Sequence, residues 1–120
     1  MSAGVPIFKQ RDSLIATMQF VPSDEDLTKL RERLLQDVGR HRALGVVLDV
    51  SGLDVMDSFS ARSVRDLALM LRLRGAETVI VGIQPEVAFS MVQLGLRLEG
   101  VSTALDLEEG IAYLDRKRRK

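Results

Sequence analysis

The sequence predicts an α/β fold: a mixed, mainly parallel sheet of about five strands carrying about four helices. Three observations carry this. Two strand-like runs come first, after which helical and strand patterns alternate to the end of the chain. The run Ala43-Leu44-Gly45-Val46-Val47-Leu48-Asp49-Val50 is apolar almost without a break, as expected of a central parallel strand covered on both faces. Helix-start chemistry recurs ahead of apolar stripes, in Ser23-Asp24-Glu25-Asp26, Pro85-Glu86 and Asp106-Leu107-Glu108-Glu109. The 120 residues fit one domain, spanning 1–120, that buries roughly two thirds of its extended surface.

Taken in order, Val5-Pro6-Ile7-Phe8-Lys9 is an edge strand, because its proline cannot donate to a ladder. The polar turn Gln10-Arg11-Asp12 leads into Ser13–Phe20, a second strand forming an antiparallel hairpin with the first. Ser23 caps the first helix, three carboxylates occupy its positive end, and Leu27, Leu30, Leu34 and Val38 form its stripe until about Gly39 to His41. The strand over 43–50 follows. A second helix from about Ser58 to Arg74 turns Val64, Leu67 and Leu71 inward, with Met70 on the border. Glu77–Ile83 is the next buried strand. Pro85 opens a third helix whose stripe is Val87, Ala88, Met91, Val92 and Leu94, ending at Gly95 or continuing to Leu98. Val101–Leu105 is a short last strand, and Asp106 opens a final helix with Ile111 and Leu114 inward. Residues 116–120 are basic and read as a frayed, solvated end suited to the negative pole of that helix.

Composition removes several function classes. Lysine plus arginine balance aspartate plus glutamate at 17 each, so no net field favours nucleic acid. Cysteine is absent, which excludes disulfides and thiolate metal sites and fits a reducing compartment. No apolar run reaches the roughly 20 residues of a membrane span, and Met1-Ser2-Ala3-Gly4 lacks a signal-peptide pattern, so a cytoplasmic location is expected. Glycine-rich phosphate loops and GxGxxG are missing. Ser58, Asp57 and His41 have the residue types of a nucleophilic triad, but adjacent Asp57 and Ser58 cannot readily serve one imidazole, and no GxSxG elbow is present. Asp49, Asp54 and Asp57 could at most hold a divalent cation weakly. No catalytic residue, cofactor or dedicated metal site is expected.

The stretch Leu53-Asp54-Val55-Met56-Asp57-Ser58-Phe59 remains. It joins the carboxyl end of the central strand to the second helix, where open α/β sheets carry their functional edge. Ser58 is expected to cap that helix. It is also suited to phosphorylation: a phosphate there gains from the helix dipole and from Arg62 one turn on, and adds about −1.5 to −2 charges beside Asp54 and Asp57. Ser58, Arg62, Arg65, Leu69 and Arg72 share the outer face. That face reads either as a solvated basic surface or as a docking surface anchored by Leu69, with Asp54, Asp57 and Phe59 at its rim.

These residues also carry a resemblance. Gly45-Val46-Val47-Leu48-Asp49-Val50-Ser51, followed by Asp54-Val55-Met56-Asp57-Ser58-Phe59, resembles the core of the STAS domain, named for sulfate transporters and anti-sigma-factor antagonists. Val5-Pro6-Ile7, Gly75-Ala76, Gly82-Ile83-Gln84-Pro85 and Thr103-Ala104-Leu105-Asp106-Leu107-Glu108 extend it in order over nearly the whole chain, toward the RsbS-type stressosome group. The resemblance implies a STAS-like single domain and a non-enzymatic, cytoplasmic scaffold, with neither nucleic acid nor membrane as a partner. It implies that an RsbT-like serine kinase phosphorylates Ser58, that the unmodified protein sequesters this kinase, and that phosphorylation releases it. RsbR-like STAS paralogues are the implied partners, in a homodimer and a large assembly. RsbR-like proteins carry an additional N-terminal sensor domain, for which this chain has no room, so the RsbS-type role is expected. The alternative is a simple anti-sigma-factor antagonist that binds an anti-sigma kinase outside any large assembly. Ser60 and Ser63 depart from the apolar or bulkier residues expected there and read as small packing residues on the inner side of the helix.

Overall fold

The computed structural model describes residues 4–98 and 100–118. Residues 1–3 and the end of the basic tail, Arg119 and Lys120, lie outside the described residues. The elements are β1 (Ile7–Gln10), β2 (Ser13–Thr17), α1 (Asp24–His41), β3 (Gly45–Asp49), α2 (Ser58–Leu73), β4 (Glu77–Val81), α3 (Pro85–Gln93), β5 (Ser102–Ala104) and α4 (Leu107–Arg118). The strands lie side by side in sequence order. β1 runs antiparallel to β2, and every other pairing is parallel. The expected mixed, mainly parallel sheet is therefore observed.

This order fixes where the helices go. Parallel crossovers are right-handed, so crossovers that all step the same way across a sheet place their helices on one face. Leu30, Leu34 and Val38 of α1, Val64, Leu67 and Leu71 of α2, and Val87 and Met91 of α3 accordingly pack with Leu14, Ala16, Val46, Leu48 and Ile80 in one core. The alternate strand residues Ile15, Val47, Val79 and Val81 face the other way and meet Leu114 of α4. Burial on both faces explains the unbroken apolar run of β3, where Val46, Val47 and Leu48 are inaccessible to solvent.

Local caps agree with the sequence at most ends. Ser23 and Asp26 form a reciprocal capping box at the start of α1. Asp106 accepts from the Glu109 backbone N–H at 2.9 Å and opens α4.

The strands are shorter than the patterns predicted. β4 stops at Val81 because Gly82 turns at φ +79°; β2 stops at Thr17, Met18 still donates to the Asp49 carbonyl at 2.9 Å, and Phe20 and Val21 are exposed. α3 differs more. Only Val87 and Met91 of its stripe are buried, whereas Ala88, Val92 and Leu94 are exposed, as is Phe89. A nine-residue helix touches the sheet along one narrow edge, and the apolar residues outnumber the positions that edge can cover. The helix does not continue to Leu98: Gly95 at φ +68° and the Leu96 N–H to Met91 carbonyl bond of 2.9 Å close it as a Schellman turn.

Candidate functional site

The parallel strands β2, β3 and β4 end together, with Thr17, Asp49 and Val81 in register. The link from β3 to α2 leaves this carboxyl edge and is held at its root by the end of β3 and by the link between β4 and α3. The Asp49 carboxylate accepts from the Ser51 backbone N–H at 2.9 Å and from its hydroxyl at 2.7 Å. Gln84, between β4 and α3, donates its side-chain amide to the Ser51 carbonyl at 2.7 Å. Gly82 lies so close that a β-carbon there would sit 2.8 Å from Ser51 Cβ. Farther along, Leu53 and Met56 are buried in the main core and fasten the link from below, while Asp54 and Val55 form its exposed tip. The loop is thus clamped by polar contacts at its root and by apolar anchors along its length.

α2 then starts at Ser58, as expected, but its cap lies one residue earlier than expected. Asp57, not Ser58, is the cap: its backbone is extended (φ −84°, ψ 177°), and its carboxylate accepts from the Ser60 N–H at 2.7 Å. Aspartate and serine cap about equally well, so residue type alone cannot choose between neighbours, and the backbone angle at the loop exit does. Ser58 becomes the first helical residue. Among the described residues its half-buried hydroxyl makes no hydrogen bond. It stands at the positive end of the helix, uncommitted to the cap.

The Ser60 backbone N–H, then the Ser60 hydroxyl and the field of Arg62 hold the Asp57 carboxyl below the ordinary aspartate range, against a smaller opposing effect of burial. Its pKa is therefore lower folded than unfolded, so it contributes stability above the unfolded value. That contribution is lost as pH falls through the folded value. Asp57→Ala is expected to cost about 0.5–2 kcal/mol at neutral pH. Urea unfolding should show the gap between variant and wild type narrowing as pH falls below about 4. A gap independent of pH would mean that Asp57 does not cap as a carboxylate.

The outer face of α2 is assembled as expected but not all of it is available. Arg62 and Leu69 are exposed, and Phe59 is about half exposed (46%). Arg65 is half-buried beside Asp66, at 3.3 Å. Arg72 is held, donating to the Gly100 carbonyl and pairing with Glu77 at 3.6 Å. On the inner side Ser60 is buried, and Ser63 lines a small cavity between α1 and α2 with Phe59 and Leu27. Both behave as small packing residues.

The acids do not converge on an ion. Asp49 serves Ser51 and Asp57 serves Ser60. Among the described residues no group of three or more histidine, cysteine, aspartate or glutamate side chains is placed to hold a metal. His41 ends α1, at the edge of the sheet opposite Ser58. Two features at this end of the molecule escaped the sequence pattern. The exposed side of α3 presents Phe89 and Val92, for which the excess of apolar residues over a short helix is the available signal. The turn after α3 brings Arg97 beside Arg62 and Arg65, for which local sequence carries no signal.

Comparison with known proteins bears on this geometry. A family profile described as the STAS domain matches residues 26–110. The RsbT co-antagonist protein RsbRA of Bacillus subtilis (strain 168) is 33% identical over 109 residues, covering 89% of this chain and 38% of the relative. The chain thus spans under two fifths of that curated relative. Among solved structures, RsbS of Moorella thermoacetica carrying S58E superposes with a TM-score of 0.82 at 32% identity, over 97% of this chain and 98% of that one. A chain from the molecular architecture of the stressosome, described as a signal integration and transduction hub, gives a TM-score of 0.77 at 31% identity, over 96% of this chain and 100% of that one. Among the described residues no helix is long and apolar enough to cross a membrane.

Proposed function

The chain belongs to the STAS-domain family, and from that premise we propose that it is a non-enzymatic scaffold of a stressosome. In this reading residues 1–120 act as one unit, in the cytoplasm, without a cofactor. The unmodified protein captures an RsbT-like serine kinase within an assembly that includes RsbR-like STAS paralogues. The kinase then transfers phosphate to Ser58: the Ser58 oxygen bonds to the γ-phosphorus of ATP, the bond to the bridging oxygen breaks, ADP departs, and the hydroxyl proton goes to the base of the kinase. The modified scaffold lets the kinase go.

The observation that carries this reading is the state of Ser58. Its hydroxyl makes no hydrogen bond among the described residues, at the first position of a helix whose cap is supplied by its neighbour. A phosphate can be added without dismantling the cap, and the fold beneath is untouched. The added charge falls beside Asp54 and Asp57 on a face that also carries Phe59, Arg62, Arg65 and Leu69, with Arg72 at its far end. That face is the proposed kinase-reading surface. Similarity to an RsbS, with a TM-score of 0.82 at 32% identity, supports the RsbS-type reading.

The test mixes the purified chain with an RsbR-like paralogue and an RsbT-like kinase, with and without ATP. A megadalton-class particle retaining the kinase is expected without ATP. With ATP, phosphopeptide mapping should find phosphate on Ser58 and the kinase should leave the particle. Phosphate found only at Ser60, Ser63 or elsewhere would sink the assignment. A small soluble pair in place of a particle would favour the simple anti-sigma-factor antagonist.

A further inference from the structure

Arg62 and Arg65, one and two turns into α2, line a cavity of about 260 Å³ with Ala61 and with Gly95, Leu96 and Arg97 of the turn after α3. Three arginines from two separate elements therefore border one opening. Their arrangement relative to Ser58 is specific. Residues 58, 62 and 65 follow one another along the same face of the helix at 100° per residue. Helical side chains lean toward the N-terminus, so the two arginines reach back along the face toward Ser58. Arg97 is brought to the same opening by the Schellman turn at Gly95, which half-buries Leu96 against the main core and fixes where the next residue emerges. The opening thus begins one turn from a hydroxyl that has no hydrogen-bond partner among the described residues.

We propose that Arg62, Arg65 and Arg97 form a phosphate-monoester pocket that receives, within the same chain, the phosphoryl group carried by Ser58. This rests on the reading of Ser58 as the modified residue and adds how the change is read. A dianionic phosphate competes with Asp57 for Arg62 and with Asp66 for Arg65. Binding it draws Arg62 and Arg65 off the outer face and ties α2 to the turn after α3. The docking surface then loses positive charge to the pocket at the moment it gains negative charge at Ser58. The switch is an exchange of arginine partners as well as an added charge.

The test installs phosphoserine at position 58 during translation, so that no kinase is needed, and follows its second ionisation by 31P NMR in the full chain. In the wild-type background the phosphate should titrate at least about half a pH unit below the same chain unfolded in urea, because nearby cations favour the dianion. Arg97→Ala should reverse a measurable part of that shift, and Arg65→Ala with Arg97→Ala should reverse more. The shift should be independent of protein concentration. A wild-type phosphate that titrates as in urea overturns the pocket, as does an Arg97→Ala protein identical to wild type. A shift that vanishes on dilution overturns the same-chain geometry. Arg97→Gln provides a second variant if the alanine form folds poorly. Kinase capture by the same phosphoprotein is measured separately. Undiminished capture together with the expected titration would remove the proposed function and leave the pocket standing.

Discussion

Ser58→Glu is expected to weaken capture of the kinase at least about tenfold while leaving the melting temperature within a few degrees of wild type. Both halves come from the position of the residue. Ser58 is the first residue of α2, and the cap belongs to Asp57, so the substitution removes no hydrogen bond the helix depends on. A carboxylate in the first turn gains about 0.3–1 kcal/mol from the helix dipole, offset in part by repulsion from Asp57 beside it. The fold therefore changes little. The partner meets a new negative charge between Asp57 and Phe59, and a like charge set into a docking surface costs on the order of several kcal/mol. Surface-immobilised kinase and thermal melts measure the two quantities side by side. Equal capture by wild type and Ser58→Glu, both folded, would remove the charge switch. Ser58→Ala in the same assay should capture normally and accept no phosphate.

Gly82→Ala should lower stability by about 1–3 kcal/mol and slow phosphorylation of Ser58 about tenfold. Gly82 has φ +79°, where a side chain is strained, and a β-carbon there would lie 2.8 Å from Ser51 Cβ and 3.2 Å from Asp49 Oδ1. Those are the residues that root the link to Ser58. Relief of the clash must push the root of the loop away from β4, and the acceptor hydroxyl moves with it. Gly75→Ala is the matched control. Its φ is +91°, but nothing lies within 4 Å of the added carbon, and it sits at the other end of α2. It should carry the strain penalty without the kinetic defect. If both variants are phosphorylated at the same rate, the clamp at Gly82 does not position Ser58.

Much of the fold was legible because its causes are local. The covered strand β3, the Ser23 cap and the apolar stripes of α1 and α2 each follow from residues within one or two turns of one another. The candidate site was legible in part. The 53–59 stretch and its place at the carboxyl edge could be read from the strand–loop–helix pattern, and so could the outer face of α2. The identity of the cap could not, since Asp57 and Ser58 are adjacent and chemically equivalent for that purpose, and a single backbone angle separates them. The third helix misled for a different reason. An apolar stripe gives the face a helix would bury, but not how much neighbouring surface there is to bury it against, so Val92 and Leu94 read as core and emerge exposed.

By itself, then, the sequence determined the order and type of the elements, the two-faced burial of the central strand and the placing of one serine at the mouth of a helix. Those are decided by periodicity and capping chemistry, which act over a few residues. Tertiary structure alone decided that Arg72 is held by Gly100 and Glu77, that Gln84 secures Ser51, and that Arg97 joins Arg62 and Arg65 around one opening. Most of these contacts join residues some 30 positions apart, as with Gln84 and Ser51. Such pairs meet only after the crossovers have stacked β3, β4 and their helices on one side of the sheet, and the interval between them in the chain carries no trace of the meeting.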